Sequence, residues 1–211
     1  MEPEARTRLR TARTDAQLSV RELSRRVGIS PSMLSQIENG HSEPSVATLY
    51  SLVSELEISL DQLLAGPGAE RGPRAPVTPS PLVTPDRRAV LVMESGVTWE
   101  RLTHDSDPMV AALLVTYPPD SSSSVNGGLM RHQGHEYAFL LSGRLTVRLG
   151  FDTLHLEPGS SISFDSTVPH LYLNEGDEPA RGLWHVVTSA PAAADPAAEW
   201  RPVGAPLQQS S

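Results

Sequence analysis

The sequence predicts a multidomain chain of α and β class: a bundle of five helices, then a barrel or sandwich of short strands. Three observations predict it. Residues 4–65 carry apolar side chains at helical spacing, with a start or stop signal between runs. Residues 66–88 hold six prolines and almost no apolar periodicity, the composition of a semi-extended linker. From about residue 89 the apolar runs shorten and take strand spacing, punctuated by Gly, Pro, Asp and Ser. At 211 residues there is room for one large domain or two small ones.

The helical elements follow in order. Leu9, Ala12 and Ala16 form the apolar stripe of the first. Ser19 and Glu22 form a Ser-x-x-Glu capping box, in which each side chain is expected to satisfy the other residue's free amide. Val20, Leu23 and Val27 continue the second helix, and Gly28 supplies a left-handed stop. Ser30-Pro31 is an N-cap with proline at the first helical position, where its missing N–H costs nothing. That third helix ends at Asn39-Gly40. Ser45 opens a fourth with Val46, Leu49, Val53 and Leu56 on one face. Ser59 opens a short fifth through Leu60, Leu63 and Leu64.

The strand-like runs are Ala89–Val92, Ala111–Val115, Ala138–Leu141, Leu145–Leu149 and Gly182–Val187. They place an all-β unit over residues 89–188. Residues 189–211, rich in Ala, Pro and Ser, read as a disordered tail. The longest apolar run, Met109 to Val115, is too short to span a bilayer, so no membrane role is expected. The opening Met1-Glu2-Pro3-Glu4-Ala5-Arg6 has no apolar secretion segment. With no cysteine there is no disulfide framework, thiolate zinc site or thiol nucleophile. A reducing cytoplasm is the expected compartment.

The formal charge of −8 taken alone argues against a nucleic-acid partner. Its distribution matters more. All 17 basic residues are Arg, and Arg6, Arg10 and Arg13 recur at i, i+4, i+7, followed by Arg21, Arg25 and Arg26. The acidic residues accumulate after residue 90.

The second and third helices are joined only by Val27-Gly28-Ile29-Ser30, a turn short enough to cross them steeply and leave one projecting. At about 100° per residue, Leu34 and Ile37 of the third helix point inward. Ser32, Gln36 and Asn39 then share the opposite face, with Ser35 beside them and Met33 on the flank. Such a face is either a reader of base edges in a major groove or the ordinary polar surface of a small bundle.

The stretch LSVRELSRRVGISPSMLSQIENG…PSVATLYSLVSELEISLDQLL resembles the phage-repressor, or xenobiotic-response-element, family of helix-turn-helix domains, over roughly residues 6–65. The resemblance implies that Gln36 and Ser32 read bases. Asn39 and the start of the second helix, at Val20 and Arg21, would hold phosphates. Ser30, Pro31 and Ser35 complete the implied DNA contacts, and an ion pair between Arg13 and Glu38 is implied as well. Val20 stands where many members carry Gln, and Pro31 where they carry a polar residue.

In the second half, His132, Glu136 and His170 are a possible facial triad. Two imidazoles and one carboxylate hold a divalent first-row ion and leave positions open. The other reading is a pocket in which the three are hydrogen-bonding groups without metal. The segment from about 89 to 187 resembles the cupin superfamily. The marks are Gly127…His132-x3-Glu136-x6-Gly143, Leu156-Glu157-Pro158-Gly159-Ser160, Val168-Pro169-His170 and Asn174-Glu175-Gly176-Asp177. The resemblance implies a double-sheet barrel of about six to eight strands with the site inside, and dimerisation through it. The family's first motif opens with two His one residue apart; here Met130 takes the first place. A thioether is a poor ligand for hard divalent ions, so three ligands are expected, not four. Met130 and Asn174 are expected in an effector pocket.

These readings together predict a transcription regulator. It would bind a double-stranded DNA operator as a homodimer, and its barrel would bind a small-molecule effector with one divalent ion: iron, zinc or manganese. The alternative is a mononuclear-iron enzyme. An epoxidase of hydroxyalkyl phosphonates has the same helical-plus-cupin layout and a His-x3-Glu…His triad. That family places a Lys at its anionic substrate, and this chain has no Lys.

Overall fold

The computed structural model of the chain describes residues 1, 3–58, 63, 82–103 and 110–187. Among these residues there are four α-helices: α1 (Pro3–Asp15), α2 (Val20–Val27), α3 (Pro31–Asn39) and α4 (Val46–Glu55). Their boundaries follow local chemistry. Ser19, Ser30 and Ser45 each take an extended backbone, and each hydroxyl accepts from the amide three residues on, at Glu22, Met33 and Thr48. Gly28 and Gly40, at φ 79° and 80°, close α2 and α3 in the left-handed conformation.

Two local expectations are corrected. The capping box is one-sided, because the Glu22 carboxylate turns to Arg25 and Arg26 at 2.7 and 2.8 Å instead of the Ser19 amide. Charge-assisted bonds to two guanidinium groups outcompete one neutral N–H. The buried positions of α1 are Ala5 and Leu9, while Ala16 lies beyond the helix and is exposed. Gln17 at φ 57° ends the helix, with the Leu18 amide donating to the Arg13 carbonyl at 3.0 Å. The expected fifth helix lies outside the described residues except for Leu63, which is helical and fully buried. The expected tail 189–211 also lies outside them, as does the expected linker before Leu82.

Among the described residues ten strands follow: β1 (Val90–Val92), β2 (Thr98–Arg101), β3 (Val110–Tyr117), β4 (Ser121–Ser122), β5 (His135–Ser142), β6 (Leu145–Leu149), β7 (Asp152–Leu156), β8 (Ser161–Asp165), β9 (His170–Asn174) and β10 (Ala180–Val187). They form a six-stranded sheet in the order β1-β2-β3-β10-β5-β8 and a four-stranded sheet in the order β4-β9-β6-β7. Every strand pair is antiparallel. The count exceeds the expected six to eight because the β1–β2 hairpin extends one sheet and β4 adds a two-residue edge. Gly143, between β5 and β6, sits at φ 73°, and a side chain there would come within 2.4 Å of the Pro179 carbonyl oxygen. That close approach explains the glycine in the His-x3-Glu-x6-Gly pattern.

The two halves share one core. The buried apolar residues of the helices and of the barrel form a single cluster. Tyr50 of α4 meets Trp99 of β2 edge-on, with ring centroids 5.5 Å apart. Two backbone bonds cross the junction: the Ala47 amide donates to the Ser123 carbonyl at 3.0 Å, and the Glu94 amide to the Pro44 carbonyl at 3.0 Å. Among the described residues no helix is long and apolar enough to cross a membrane.

Candidate functional site

The first candidate region is α3. Leu34 and Ile37 are fully buried and anchor the helix. Ser30, Pro31, Ser32, Gln36 and Asn39 are exposed, as is Arg21 of α2, while Val20 and Ser35 are half-buried. The rear of α3 is locked by the expected ion pair: Arg13 Nε and Nη2 donate to the two oxygens of Glu38 at 2.7 and 3.0 Å. The Glu38 side chain is only 2% exposed, so its charge depends on that guanidinium.

The regular arginines of α1 therefore serve the fold. Arg6 pairs with Glu43, Arg13 with Glu38, and Arg10 reaches Glu38 at 3.4 Å and the Asn39 carbonyl oxygen at 2.6 Å. The Asn39 amide nitrogen donates to the Ser35 carbonyl at 2.8 Å. The Asn39 side chain is thus committed on both ends within the protein, with half-exposed Arg10 beside it. Sequence reasoning named Asn39 and missed Arg10, although the i, i+4 arginine spacing had marked the helix that carries it.

The second region lies inside the barrel. His132 sits in the loop before β5, Glu136 on β5, and His170 at the start of β9. The isolated bridge Met130–His170 ties that loop to β9, with amide bonds of 2.8 Å in both directions. All three side chains are buried, and their potential ligand atoms lie within 4.8 Å of one another. His132 Nε2 is 2.7 Å from Glu136 Oε1, and His170 Nε2 is 3.2 Å from the same oxygen. Burial alone would raise the Glu136 carboxyl, but the hydrogen bond from His132 and the nearness of His170 outweigh it and hold it down at about 2.

The donor set fits a divalent ion. Donors about 2.1 Å from one first-row ion and at right angles stand about 3 Å apart, close to the separations seen here. His132 Nδ1 and His170 Nδ1 lie 3.2 and 2.8 Å from the Gln133 and Val168 carbonyls. A proton held on each Nδ1 leaves Nε2 free to ligate. His170 Nε2 is buried without a hydrogen-bond partner, the one orphaned atom among the three ligands.

Tyr172 was not anticipated. Its hydroxyl donates to the second Glu136 oxygen at 2.7 Å. Burial first, then the Glu136 charge, pushes that phenol well above its ordinary pKa, so it stays a donor. The two-residue period of β9 carried the signal, since Tyr172 lies on the same face as His170. Met130 is on the cavity wall. Asn174 is not. It is buried with its Nδ2 donating to the Tyr117 and Glu178 carbonyls at 2.9 and 2.8 Å, and its Oδ1 accepting from Gly176. It holds the turn after β9 and does not line the cavity.

Residues 9–63 match the family model described as helix-turn-helix, and residues 113–186 the model described as cupin domain. Two stretches of the chain thus match, in order, a helix-turn-helix model and a cupin model, in agreement with the helices and the antiparallel sheets described above. The HTH-type transcriptional regulator PuuR of Escherichia coli (strain K12) is 25% identical over 169 residues, covering 79% of this chain and 85% of the relative. The HTH-type transcriptional regulator SutR of the same organism is 24% identical over 174 residues, covering 82% and 88%. The crystal structure of an HTH_3 family transcriptional regulator from Vibrio cholerae has a TM-score of 0.62 at 23% identity, covering 89% of this chain and 96% of that one, and shows the shared fold.

Proposed function

We propose that this chain is a sequence-specific transcription regulator, binding a double-stranded DNA operator in the cytoplasm as a homodimer. Residues 4–65 are its DNA-binding domain, 66–88 a linker, 89–188 a cupin sensor for a small-molecule effector, and 189–211 a tail. The observation that carries this reading is the outer face of α3. Ser32, Gln36 and Asn39 stand exposed together on a helix whose rear is pinned by Arg13 and Glu38. The names of PuuR and SutR support it, each relative matching over most of this chain.

In this assignment Gln36 and Ser32 contact base edges, flanked by Ser30, Pro31 and Ser35, because short polar side chains on a projecting helix suit the major groove. Asn39 with its partner Arg10, and Val20 and Arg21 at the start of α2, lie against phosphates. One such helix has few contacts, so two half-sites are needed. Tyr137, Phe139 and Leu141 form an exposed apolar row on β5, 42–49% accessible, and this outer sheet face is the assigned dimer contact. His132, Glu136 and His170 hold one divalent ion, iron, zinc or manganese, and Met130 borders the effector.

The test is binding of the full chain to its own promoter and to scrambled DNA. Gln36→Ala is expected to relax preference at one position per half-site, at about 1–3 kcal/mol per contact. Equal affinity of the unaltered chain for both DNAs would remove the regulator. Turnover of a hydroxyalkyl phosphonate with ferrous iron and oxygen, without operator preference, would put the iron enzyme in its place.

A further inference from the structure

The barrel cavity has a wall that does not belong to the barrel. Val46 and Tyr50 of α4 line it together with Met130, Glu136 and Tyr172. Tyr50 is 5% exposed, and its ring lies flat on His132, with centroids 3.8 Å apart and planes 2° from parallel. With Tyr50 seated, the space left is about 10 Å³, the room one water requires. Nothing larger enters while α4 stays in place.

We infer that α4 is the lid of the cupin barrel and Tyr50 the plug, so that a ligand occupies the barrel only by lifting the helix-turn-helix domain off its mouth. This deepens the proposed function and rests on the reading of the barrel as a sensor. A ligand shifts an equilibrium only by its differential affinity for the two states. Here the closed cavity has room for about one water, so an effector larger than that binds only as the lid opens. The junction suits such a release. It includes the aromatic contacts of Tyr50 with His132 and Trp99, Val46 at the cavity wall, and two backbone bonds, Ala47 to Ser123 and Glu94 to Pro44. On the other side, α4 packs against α2 and is capped by its own Ser45, so the helical domain moves with α4 as a unit. Tyr50 also covers a candidate ligand side chain, which places occupancy of the site and seating of the lid at the same ring.

The chain has no cysteine, so Thr14→Cys on exposed α1 and Phe151→Cys at a fully exposed turn accept one spin label each. The label-to-label distance is read in labelled chain diluted with unlabelled chain. Three substitutions are compared with the unaltered protein. Tyr50→Ala removes the plug. Met130→Trp adds bulk from the barrel side and leaves α4 untouched, which covers the case in which Tyr50→Ala does not fold. Tyr50→Phe keeps the stacked ring. The expected result is one narrow distance for the unaltered chain and for Tyr50→Phe, and a distribution at least twice as wide for the other two. Folded Tyr50→Ala and Met130→Trp proteins that both keep the narrow distance would overturn the lid. Opening without operator preference keeps the lid and removes the regulator. An effector-dependent operator affinity with no opening in either variant removes the lid and keeps the regulator.

Discussion

On α3 the side chains of Ser32, Gln36 and Asn39, assigned to DNA, stand exposed on one nine-residue helix. In the barrel the three candidate ligands come from a loop and two strands between residues 132 and 170, and all are buried. The two regions divide their polar groups differently. Among the described residues the Gln36 side chain is exposed and makes no hydrogen bond within the protein, whereas the oxygens of Glu136 are both engaged, by His132 and Tyr172. A surface that must read DNA keeps donors and acceptors spare for base edges. A buried charge must be satisfied inside the protein or it opposes folding. The rear of α3, where Arg13 and Glu38 meet, obeys the barrel's rule.

That comparison is broken first at Glu38. Glu38→Ala leaves the Arg13 guanidinium, 11% exposed, without its partner. The expected cost is about 3 kcal/mol of stability, at the low end for a buried pair because Arg13 retains some water and the Leu18 carbonyl. Urea denaturation of the full chain measures it, and a loss below about 1 kcal/mol would mean the pair behaves as a surface contact. Tyr172→Phe sharpens the barrel side. It removes the hydroxyl that orients Glu136, and zinc affinity in a competition titration is expected to fall about ten- to a hundredfold, some 1.4–2.7 kcal/mol. Unchanged affinity would show that Glu136 needs no such support. The smallest effect belongs to Gln36→Ala, whose stability should stay within about 0.5 kcal/mol of the unaltered chain, as for a surface position without partners. A larger drop would mean that α3 uses Gln36 for folding, and its specificity data would have to be reread.

Much of the helical domain was legible beforehand, because its signals are local. A Ser before a helix, a Gly after it and a period of 3.6 act within one turn, so the limits of α2 and α3 and the outward face of α3 could be worked out from neighbours in the chain. Where local signals misled, a competing contact had won. Glu22 took two arginines over an amide, and Ala16 fell beyond a turn that Gln17 made. Barrel strands β3, β5, β6 and β10 were legible from their apolar runs, while β2, β7 and β8 carry too many polar residues to stand out.

The candidate site shows the same divide more sharply. His132, Glu136 and His170 stood out as a possible triad, weakly by spacing and more clearly through the cupin resemblance, and the structure brings the three side chains together. Asn174 was misplaced because a motif position says which residue is present and not where its side chain is spent; here three backbone groups claim it. Tyr50 gave no warning at all.

The sequence by itself determined the two-part architecture, the third helix with its inward and outward faces, and the three side chains of the candidate ion site. Those features depend on periodicity, capping chemistry and donor type, which are properties of short segments. Only the tertiary structure decided that Tyr172 steadies Glu136 and that Arg10 engages Asn39. It alone brought Tyr50 to rest on His132, closing the barrel with a helix of the other domain. These contacts join residues 29 to 82 positions apart, and such pairings are selected by how whole sheets and helices pack. Periodicity put Tyr172 on the face of His170 and Arg10 on a marked helix, but it names no partner across the fold.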